Sequence, residues 1–440
     1  MLFPDSEKYR EAVEIIRVLK AAGHDSFLVG GCVRDFLRGM EPKDFDIATG
    51  ARPEQVEKLF PRTIPVGVQF GVQIVLRGEV QYEVATFRTD GDYKDGRHPQ
   101  GVTFSNPKED ALRRDFTVNG LFYDPVDGKV IDYVGGEKDL KEKVIRAIGD
   151  PTKRFSEDKL RILRAARFAA NLGFTIEPQT MRAMHELAGK ITEVSPERIR
   201  DELIKLFTGP DPGRGLLLLD EAKLLPVILP EVDRMKGVQQ PPEFHPEGDV
   251  FIHTKLVLDE VPNAAVPVAI GALLHDIGKP PTFKVAERIR FDGHDRVGMQ
   301  MAVNICKRLK FSNDQTDAIA EVVGGHMRFK DVKQMKLSTL KRFLAKPTFM
   351  DELAMHRADC MASHKDISNW EFLNQKLIEI PVEEIKPKPL LTGTDLLNAG
   401  YPAGPAMGRI LKAVEEKQLE KELTSAEEAL AWVQKEFPRK

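Results

Sequence analysis

The stretch LVGGCVRDFLRGMEPKDFDIAT, residues 28–49, combines a glycine pair, a helix-like segment and two aspartates. Gly30 and Gly31 follow an apolar run and would let the backbone approach a phosphate at a helix N-terminus, which attracts anions. Asp44 and Asp46 would point to one side of a strand, because side chains two residues apart share a face. Two adjacent carboxylates repel each other unless a cation joins them, and oxygen ligands suit Mg²⁺. The stretch therefore predicts a magnesium site beside a phosphate site.

Composition limits the class of protein. The chain has 440 residues, enough for two or three domains, and a formal net charge of −3, so any RNA contact must come from local basic patches. Its three cysteines, Cys32, Cys306 and Cys360, lack metal-type spacing, which is typical of a reduced compartment without disulfides. The N-terminus does not resemble a signal peptide, and no apolar run has membrane-spanning length. The sequence thus predicts a cytoplasmic protein without a membrane segment.

Hydrophobic periodicity divides the chain into a mixed α/β block and a helical remainder. The elements predicted in the first block are a helix at 6–22 and strands at 26–29, 72–76 and 80–88. From about residue 140 the pattern is helical, with helices predicted at 158–171 and 196–207. A Gly/Pro cluster at 209–215 indicates a boundary or a turn. Seven of the ten histidines lie between His245 and His364, which indicates a distinct unit there.

Three later motifs accompany the opening stretch. They are EVATFR at 83–88, RRDFTVNGL at 113–121 and EDKLR at 157–161. Together with residues 28–49 they resemble the signature of the nucleotidyltransferase superfamily, in its class II tRNA nucleotidyltransferase and bacterial poly(A) polymerase branch. The sequence departs from this pattern at Gly120, where the family usually has alanine, and at Lys159, where it commonly has proline.

The resemblance implies a polymerase beta-like catalytic head with two magnesium ions. In such a head Asp44 and Asp46 hold Mg²⁺, and Glu83 supplies a third carboxylate from a neighbouring strand; an exposed strand glutamate is the alternative for Glu83. One ion would activate an attacking 3′-hydroxyl and the other would neutralise a triphosphate. The nucleotide-binding residues that the resemblance implies are Gly30, Gly31, Arg34, Arg114, Asp115, Asn119, Asp158, Arg161, Arg164 and Arg167.

The EDKLR motif predicts how a base is selected. Asp158 and Arg161 are three residues apart, hence neighbours on one helix face. Cytosine and adenine both present an amino donor beside a ring-nitrogen acceptor, which a carboxylate and a guanidinium match, whereas guanine and uracil present the opposite polarity. In isolation an ordinary surface ion pair would be the simpler interpretation. Further along, Arg198 and Glu202 are four residues apart and predict a helix-stabilising pair.

These motifs leave several activities open: complete CCA addition to tRNA, CC-only addition, A-only addition, or poly(A) tailing. Residues 86–99 resemble the flexible loop of full CCA-adding enzymes, which argues against CC-only addition. Residues 65–71 lack the basic run usual in poly(A) polymerases. Complete CCA addition from CTP and ATP is favoured, and A-only addition and poly(A) tailing stay as alternatives. The expected partner is the tRNA acceptor end, whose phosphates Arg164, Arg167 and Arg198 could contact.

The C-terminal half carries a second chemistry. The order His253, His275, Asp276, Asp359 and the run LLHDIGK at 273–279 resemble the HD phosphohydrolase superfamily. Histidine with carboxylate favours Mg²⁺ or a transition metal such as Mn, Ni or Fe. A second metal could be held by His294 and His326. The resemblance implies a phosphatase or 2′,3′-cyclic phosphodiesterase acting on tRNA ends. The alternatives are a unit that only holds RNA, or an HD unit that is the main activity beside a degenerate head.

The predicted fold class is α+β. A nucleotidyltransferase head at 1–138 is followed by a helical, nucleotide-selecting neck at 139–210. The helical body at 211–440 contains the HD domain, at about 245–365, and a C-terminal helical tail. The sequence does not indicate an oligomeric state.

Overall fold

The computed structural model describes residues 6–66, 71–91, 102–241 and 248–439. Most of the predicted flexible loop at 86–99, and residues 67–70 of the segment at 65–71, therefore lie outside the described residues. The chain forms two compact units, one of residues 1–233 with 308–311 and one of residues 234–307 with 312–440. None of the described helices is long and apolar enough to cross a membrane.

The first unit contains a mixed β-sheet. The strands of this unit are β1 (Ser26–Val29), β2 (Asp46–Thr49), β3 (Thr63–Pro65), β4 (Val72–Arg77), β5 (Val80–Thr86), β6 (Arg88–Asp90), β7 (Val102–Phe104), β8 (Leu121–Asp124), β9 (Lys129–Asp132), β10 (Val144–Ile145) and β11 (Thr175–Ile176). Seven of them form one sheet in the order β3-β4-β5-β2-β1-β8-β9. Within it β2 and β5 run parallel, and the other neighbours run antiparallel. The parallel pair brings the carboxylates of two distant motifs to adjacent strands.

Helices surround this sheet and continue beyond it. They are α1 (Glu7–Ala21), α2 (Gly31–Leu37), α3 (Pro53–Leu59), α4 (Pro107–Leu112), α5 (Gly136–Glu142), α6 (Pro151–Glu157), α7 (Leu160–Leu172), α8 (Pro178–Leu187), α9 (Pro196–Phe207), α10 (Pro212–Glu221), α11 (Leu225–Ile228) and α12 (Pro230–Asp233), with 3₁₀ turns at Thr117–Asn119 and Ala188–Glu193. The predicted helices at 6–22 and 196–207 and the strand at 26–29 are confirmed. The Gly/Pro cluster forms the start of α10, inside the first unit.

Two sequence predictions in this unit are wrong in detail. The helix predicted at 158–171 begins only at Leu160, and Asp158 has extended backbone (φ −139°, ψ 105°) between α6 and α7. The reason is local, because the Asp158 carboxylate accepts the Leu160 N–H at 3.1 Å and so competes with helix continuation. Asp44 lies before β2 rather than on it, so Asp44 and Asp46 do not share a strand.

The apolar core explains why α1 and β2 form where they do. Five residues at helical spacing on α1 are buried against the sheet: Ala12, Val13, Ile15, Ile16 and Leu19. Ser6 caps this helix by accepting the Tyr9 N–H at 3.2 Å. Phe45 and Ile47 lie in the same core, whereas Asp46 between them is exposed. The core therefore fixes the side of the sheet from which Asp46 projects.

The second unit is mainly helical. Its elements are α13 (Val250–Asp259), α14 (Val266–Leu274), α15 (Lys279–Thr282), β12 (Lys284–Val285), β13 (Ile289–Arg290), α16 (His294–Arg308), α17 (Asn313–Gly325), a 3₁₀ segment (His326–Gln334), α18 (Leu337–Leu344), α19 (Phe349–Ala362), α20 (Ser368–Glu379), α21 (Val382–Ile385), α22 (Gly393–Asn398), α23 (Pro405–Leu419) and α24 (Ala426–Glu436). The last residue of α16, Arg308, clusters with the first unit. With the mixed sheet of the first unit, these helices confirm the predicted α+β class.

The glycine at position 120, where the family usually has alanine, is explained by the close packing of side chains around it. A Cβ atom there would lie 2.7 Å from Val134 Cγ2 and 3.2 Å from Ile148 Cδ1. We expect Gly120→Ala to lower the free energy of unfolding by about 1–3 kcal/mol, because overpacking a filled core forces its neighbours to move. Urea denaturation followed by circular dichroism measures this difference.

Two further variants make that result specific. In a Val134→Ala background the Gly120→Ala penalty should largely disappear, since the clashing methyl group is gone. A Cβ atom at Gly189 would meet nothing within 4 Å, so Gly189→Ala is the matched control and should not destabilise the protein. Equal stability of Gly120→Ala and wild type would contradict the crowding explanation.

Candidate nucleotide site and candidate metal centre

A cluster of carboxylates forms at the parallel strand pair. Ile47 of β2 is in register with Val84 of β5, so the preceding residues, Asp46 and Glu83, are neighbours on adjacent strands, and both are exposed. Desolvation and the charge of Glu83 raise the pKa of Asp46 to about 6, with Asp44 adding to the effect and Arg114 opposing it. A carboxylate whose ionisation is disfavoured by two others fits a divalent cation with oxygen ligands. The structure therefore brings Asp44 and Glu83 close enough to Asp46 for their charges to act on it.

The glycine pair lies beside these carboxylates. Gly30 has φ +74°, donates its N–H to Leu121 O at 3.1 Å, and is the N-cap of α2. A Cβ atom at Gly30 would lie only 3.1 Å from Arg114 Nη1, so the close approach and the positive φ both require glycine. Arg114 is bound to Asp110 at 3.1 Å and lies over the Phe122 ring at 5.3 Å.

A chain of hydrogen bonds joins four predicted nucleotide-binding residues. Arg34 Nη1 donates to Asn119 Oδ1 at 2.7 Å, and Asn119 Nδ2 donates to Asp115 Oδ1 at 3.2 Å. Arg164 donates to Asp115 Oδ2 through Nε at 2.8 Å and Nη2 at 2.6 Å. Burial raises the pKa of Asp115, but the adjacent Arg164 and these hydrogen bonds outweigh burial and lower it to about 2. Asp115 is therefore a buried, ionised group.

Three arginines gather around one aromatic ring. The guanidinium groups of Arg34, Arg164 and Arg167 lie 5.5, 5.2 and 3.9 Å from the Phe168 ring centroid. Buried Glu202 accepts from Arg167 Nε at 2.5 Å and lies 3.7 Å from Arg164 Nη1. The predicted pairing of Glu202 with Arg198 is thus wrong, because α7 presents Arg167 to Glu202. The cluster concentrates positive charge next to the hydrogen-bonded chain.

The two residues predicted to read a base are each bound to other groups. Asp158 Oδ2 accepts from Arg198 Nη2 at 2.9 Å. Arg161 Nη1 donates to Glu157 Oε2 at 2.9 Å and to Arg154 O at 3.1 Å, and its Nη2 donates to Arg113 O at 3.1 Å. Sequence reasoning missed both partners. The four-residue spacing of Glu157 and Arg161 could have indicated one of them, whereas no local signal indicates the Asp158–Arg198 pair.

The second unit gathers the six predicted metal ligands. They form two groups of three, each with ligand atoms within 4.8 Å of one another: His253, His275 and Asp359, and Asp276, His294 and His326. These residues come from α13, α16, α19 and the segments that follow α14 and α17. Gly278 allows this assembly, since a Cβ atom there would lie 2.0 Å from His294 O.

Asp276 belongs to the second group and also lies beside His275 of the first. Its Oδ2 is 3.1 Å from His275 Nε2, and its Oδ1 is 3.6 Å from His294 Nε2 and 4.0 Å from His326 Nε2. Lys279, which sequence reasoning did not single out, lies with its Nζ 2.6 Å from Asp276 Oδ2. The charges of His275 and Lys279 outweigh the effect of burial and hold the pKa of Asp276 well below its ordinary value. One carboxylate therefore faces both groups.

Hydrogen bonds fix the orientation of three imidazoles. The Nδ1–H groups of His275, His294 and His326 donate to the carbonyl oxygens of Ala272, Phe291 and Val323, at 2.8, 2.9 and 2.6 Å. Because a carbonyl only accepts, Nδ1 carries a proton in each ring, and Nε2 is the nitrogen of each ring that is available to a metal. The Nε2 atoms of His294 and His326 are 3.1 Å apart. Burial, and then His275, lowers the pKa of His326 to about 4, so its Nε2 is available to a cation at neutral pH.

Comparison with known proteins agrees with the site. Residues 26–146 match the family model of the poly A polymerase head domain, residues 173–236 a probable RNA and SrmB-binding site of polymerase A, and residues 296–433 a putative tRNA nucleotidyltransferase domain 2. The CCA-adding enzyme of Lactococcus lactis subsp. cremoris (strain MG1363) is 34% identical over 433 residues, which cover 96% of this chain and 95% of that enzyme. The chain belongs to the CCA-adding enzyme family.

Other CCA-adding enzymes match more strongly over a shorter range. The enzyme of Anoxybacillus flavithermus is 41% identical over 232 residues, which span 52% of this chain and 58% of that relative. Several of these curated relatives are thus matched over little more than half their length. The crystal structure of the Bacillus stearothermophilus CCA-adding enzyme in complex with CTP has a TM-score of 0.77 and 28% identity, and 98% of each chain is covered.

The buried Asp115–Arg164 pair predicts a pH-dependent stability. The folded pKa of about 2 is below the ordinary value of 3.8, so ionised Asp115 stabilises the fold above about pH 4, and this contribution is lost as pH falls toward 2. We expect Asp115→Asn to lower the free energy of unfolding by about 2 kcal/mol at pH 7, with a smaller difference from wild type below pH 4. Urea denaturation between pH 3.5 and 7 measures it. Asp201→Asn, at a half-exposed side chain, is the control, and a pH-independent difference for Asp115→Asn would contradict the assignment.

Proposed function

We propose that this protein adds CCA to the 3′ end of tRNA from CTP and ATP without a nucleic-acid template. The observation that carries the proposal is the assembly of the family's motif residues into one site, in a chain similar over nearly its whole length to a CCA-adding enzyme. A structural relative at 28% identity is a CCA-adding enzyme in complex with CTP, which supports CTP as a substrate. Addition of A alone and poly(A) tailing are the alternative outcomes.

The three carboxylates at and near β2 and β5 fit a magnesium site. Asp44, Asp46 and Glu83 would hold Mg²⁺, and the position of Asp46 beside Glu83 on adjacent strands, which raises the pKa of Asp46, supports this. When bound, Mg²⁺ supplies positive charge for the attacking hydroxyl and for the leaving pyrophosphate. Arg114, beside Gly30, would donate to phosphate oxygens. The hydrogen-bonded chain from Arg34 to Arg164 would bind the ribose and triphosphate of the nucleotide.

Base selection would fall to Asp158 and Arg161. The carboxylate would accept from the exocyclic amino group of cytosine or adenine, and the guanidinium would donate to the adjacent ring nitrogen. Guanine and uracil would place donor against donor and acceptor against acceptor, which costs several kcal/mol in a partly buried site. In this assignment residues 1–138 form the catalytic head, residues 139–210 the nucleotide-selecting neck, and residues 211–440 the body with the C-terminal tail.

One reaction tests the activity. Transfer RNA that lacks its terminal CCA is incubated with the protein, Mg²⁺, CTP and ATP, and the product mass is measured. We expect the gain of two cytidylates and one adenylate, after which addition stops. A single adenylate on RNA that ends in CC would instead show an A-adding enzyme, and an open-ended adenylate ladder would show a tailing enzyme.

Two variants, tested in the same reaction, distinguish the residues of catalysis from those of base selection. Asp46→Asn should abolish all addition, because the magnesium site loses a ligand. Asp158→Ala should keep catalysis and lose discrimination, so that UTP and GTP are also incorporated. Native base selectivity in Asp158→Ala would contradict the role of Asp158.

We also propose a dinuclear metal centre with phosphohydrolase activity in the second unit. The support is the contact of Asp276, a member of one group, with His275 of the other, and the 3.1 Å separation of the Nε2 atoms of His294 and His326. The imidazole-rich donor set favours Mn, Ni or Fe over magnesium. A cavity of about 710 Å³ adjoins the centre, and Lys279, Arg290 and Lys330 are among its lining residues. Cationic walls beside metal ligands suit a phosphate ester, such as a phosphorylated tRNA end.

Metal content tests this centre directly. We expect protein loaded with Mn²⁺ to retain about two ions per chain after dialysis, and His326→Ala to retain about one. His364→Ala is the matched control, because His364 lines the cavity but is outside both ligand groups. Elemental analysis measures the ions, and release of phosphate from a 2′-phosphorylated oligonucleotide measures the activity. Retention of no metal by the wild type would contradict the proposal.

A further inference from the structure

The two residues of the proposed base-reading pair are ion-paired inside the protein. Asp158 Oδ2 is 2.9 Å from Arg198 Nη2, and Arg161 Nη1 is 2.9 Å from Glu157 Oε2. The Asp158 and Arg161 side chains are only 16% and 10% exposed. Charged groups at this depth need partners, since an unpaired one would lose much of its hydration without compensation.

The polarity of these partners matches the edge of the correct base. Arg198 presents an N–H donor to Asp158, as the exocyclic amino group of cytosine or adenine would. Glu157 presents an acceptor to Arg161, as the ring nitrogen next to that amino group would. The protein therefore offers both readers the same donor and acceptor pattern that CTP and ATP offer.

We propose that Arg198 and Glu157 are intramolecular stand-ins for the base, which hold the reading pair in the nucleotide-free protein and are displaced when CTP or ATP binds. This inference rests on the proposed function of Asp158 and Arg161. Arg198 and Glu157 are positioning residues in this scheme, because they act on the readers and not on the nucleotide.

The two stand-ins are not equally easy to displace. Arg161 is also held by the carbonyl oxygens of Arg154 and Arg113, so it keeps its position when Glu157 releases it. Asp158 Oδ1 is held by the Leu160 N–H, which leaves Oδ2 as the oxygen that exchanges partners. Arg198 reaches Asp158 from another helix, α9, and its side chain is 21% exposed. Exchange at Asp158 is therefore the step that competes with nucleotide binding.

The exchange affects bases of matching and of opposite polarity differently. A base with matching polarity replaces the hydrogen bonds that the stand-ins give up, so its displacement of them is nearly balanced. Uracil and guanine cannot replace those bonds, so they leave the stand-ins in place and bind only through ribose and triphosphate. The competitor thus lowers the affinity for the correct nucleotides alone.

Equilibrium dialysis with CTP, ATP and UTP, without tRNA, tests this scheme. In Arg198→Met the Kd for CTP and for ATP should fall about threefold to tenfold, because a partly exposed charge-assisted hydrogen bond no longer competes. The Kd for UTP should stay unchanged. Arg198→Lys restores a cation and a donor and should return the CTP affinity toward the wild-type value.

Arg200→Met is the matched control, since Arg200 lies on the same helix and binds Asp201 at 2.7 Å. If Arg198→Met does not fold, Glu157→Gln gives a second test, because a neutral acceptor is a weaker partner for Arg161. The CTP affinity should rise by less than expected for Arg198→Met, since two carbonyl oxygens still hold Arg161. An unchanged or weaker CTP affinity in a folded variant would overturn the inference. Equal affinities of the wild type for CTP and UTP would instead overturn base reading itself, so the two failures are distinguishable.

Discussion

The candidate nucleotide site depends on keeping one ionised carboxylate, Asp115, inside the protein. A buried carboxylate is unfavourable by several kcal/mol unless charged and hydrogen-bonded partners surround it. Here Arg164 donates twice to Oδ2, while the Phe116 N–H and Asn119 donate to Oδ1. Because Asp115 follows α4 and Arg164 lies in α7, this ion pair fixes the RRDFTVNGL motif against the helix that begins beside Asp158. Asn119 in turn holds Arg34, so the site is ordered before any nucleotide binds.

The second unit also buries a carboxylate, Asp276, beside a different set of charged and polar groups. Asp276 is buried beside Lys279, which balances one negative charge. Asp359 is within 3.0 Å of His253, and backbone carbonyls hold the Nδ1 atoms of His275, His294 and His326, so that Nε2 of each ring faces the cluster. A metal site needs ligand atoms that carry no proton, because the cation takes the place of the proton. The two units therefore differ in what surrounds a buried carboxylate: Arg164 pairs with Asp115 in the first, whereas in the second Lys279 pairs with Asp276 beside several imidazoles.

Sequence patterns predicted what is local and missed what is distant. The apolar spacing of α1 and the glycine pair before α2 depend on neighbours in the chain, and both agree with the structure. The i,i+4 rule paired Arg198 with Glu202, but Glu202 binds Arg167, 35 residues away, and Arg198 binds Asp158, 40 residues away. The break before α7 was missed because it depends on a side-chain cap, and the helical pattern on both sides of it is continuous. Four candidate metal ligands, His253, His275, Asp276 and Asp359, were predicted from one motif and the order of its residues, and His294 and His326 only as possible ligands of a second metal. That the six lie close together depends on the packing of distant helices.

The break at Asp158 also explains how the sequence tolerates its departure from the family pattern. Lys159 replaces the common proline, yet its φ of −62° is the value that a proline ring imposes. Its Nζ donates to Ser156 O at 3.0 Å and pairs with Glu193 at 3.3 Å, so side-chain contacts fix what the ring would otherwise fix. With that turn kept, Asp158 stays extended before α7 and Arg161 stays in the first turn of α7. Both side chains are too buried to remain without partners. A template made of charged side chains differs in this respect from one made of bases, because its recognition groups must be neutralised between reactions. The partners that do so therefore help to set the affinity with which such a template binds its matching bases.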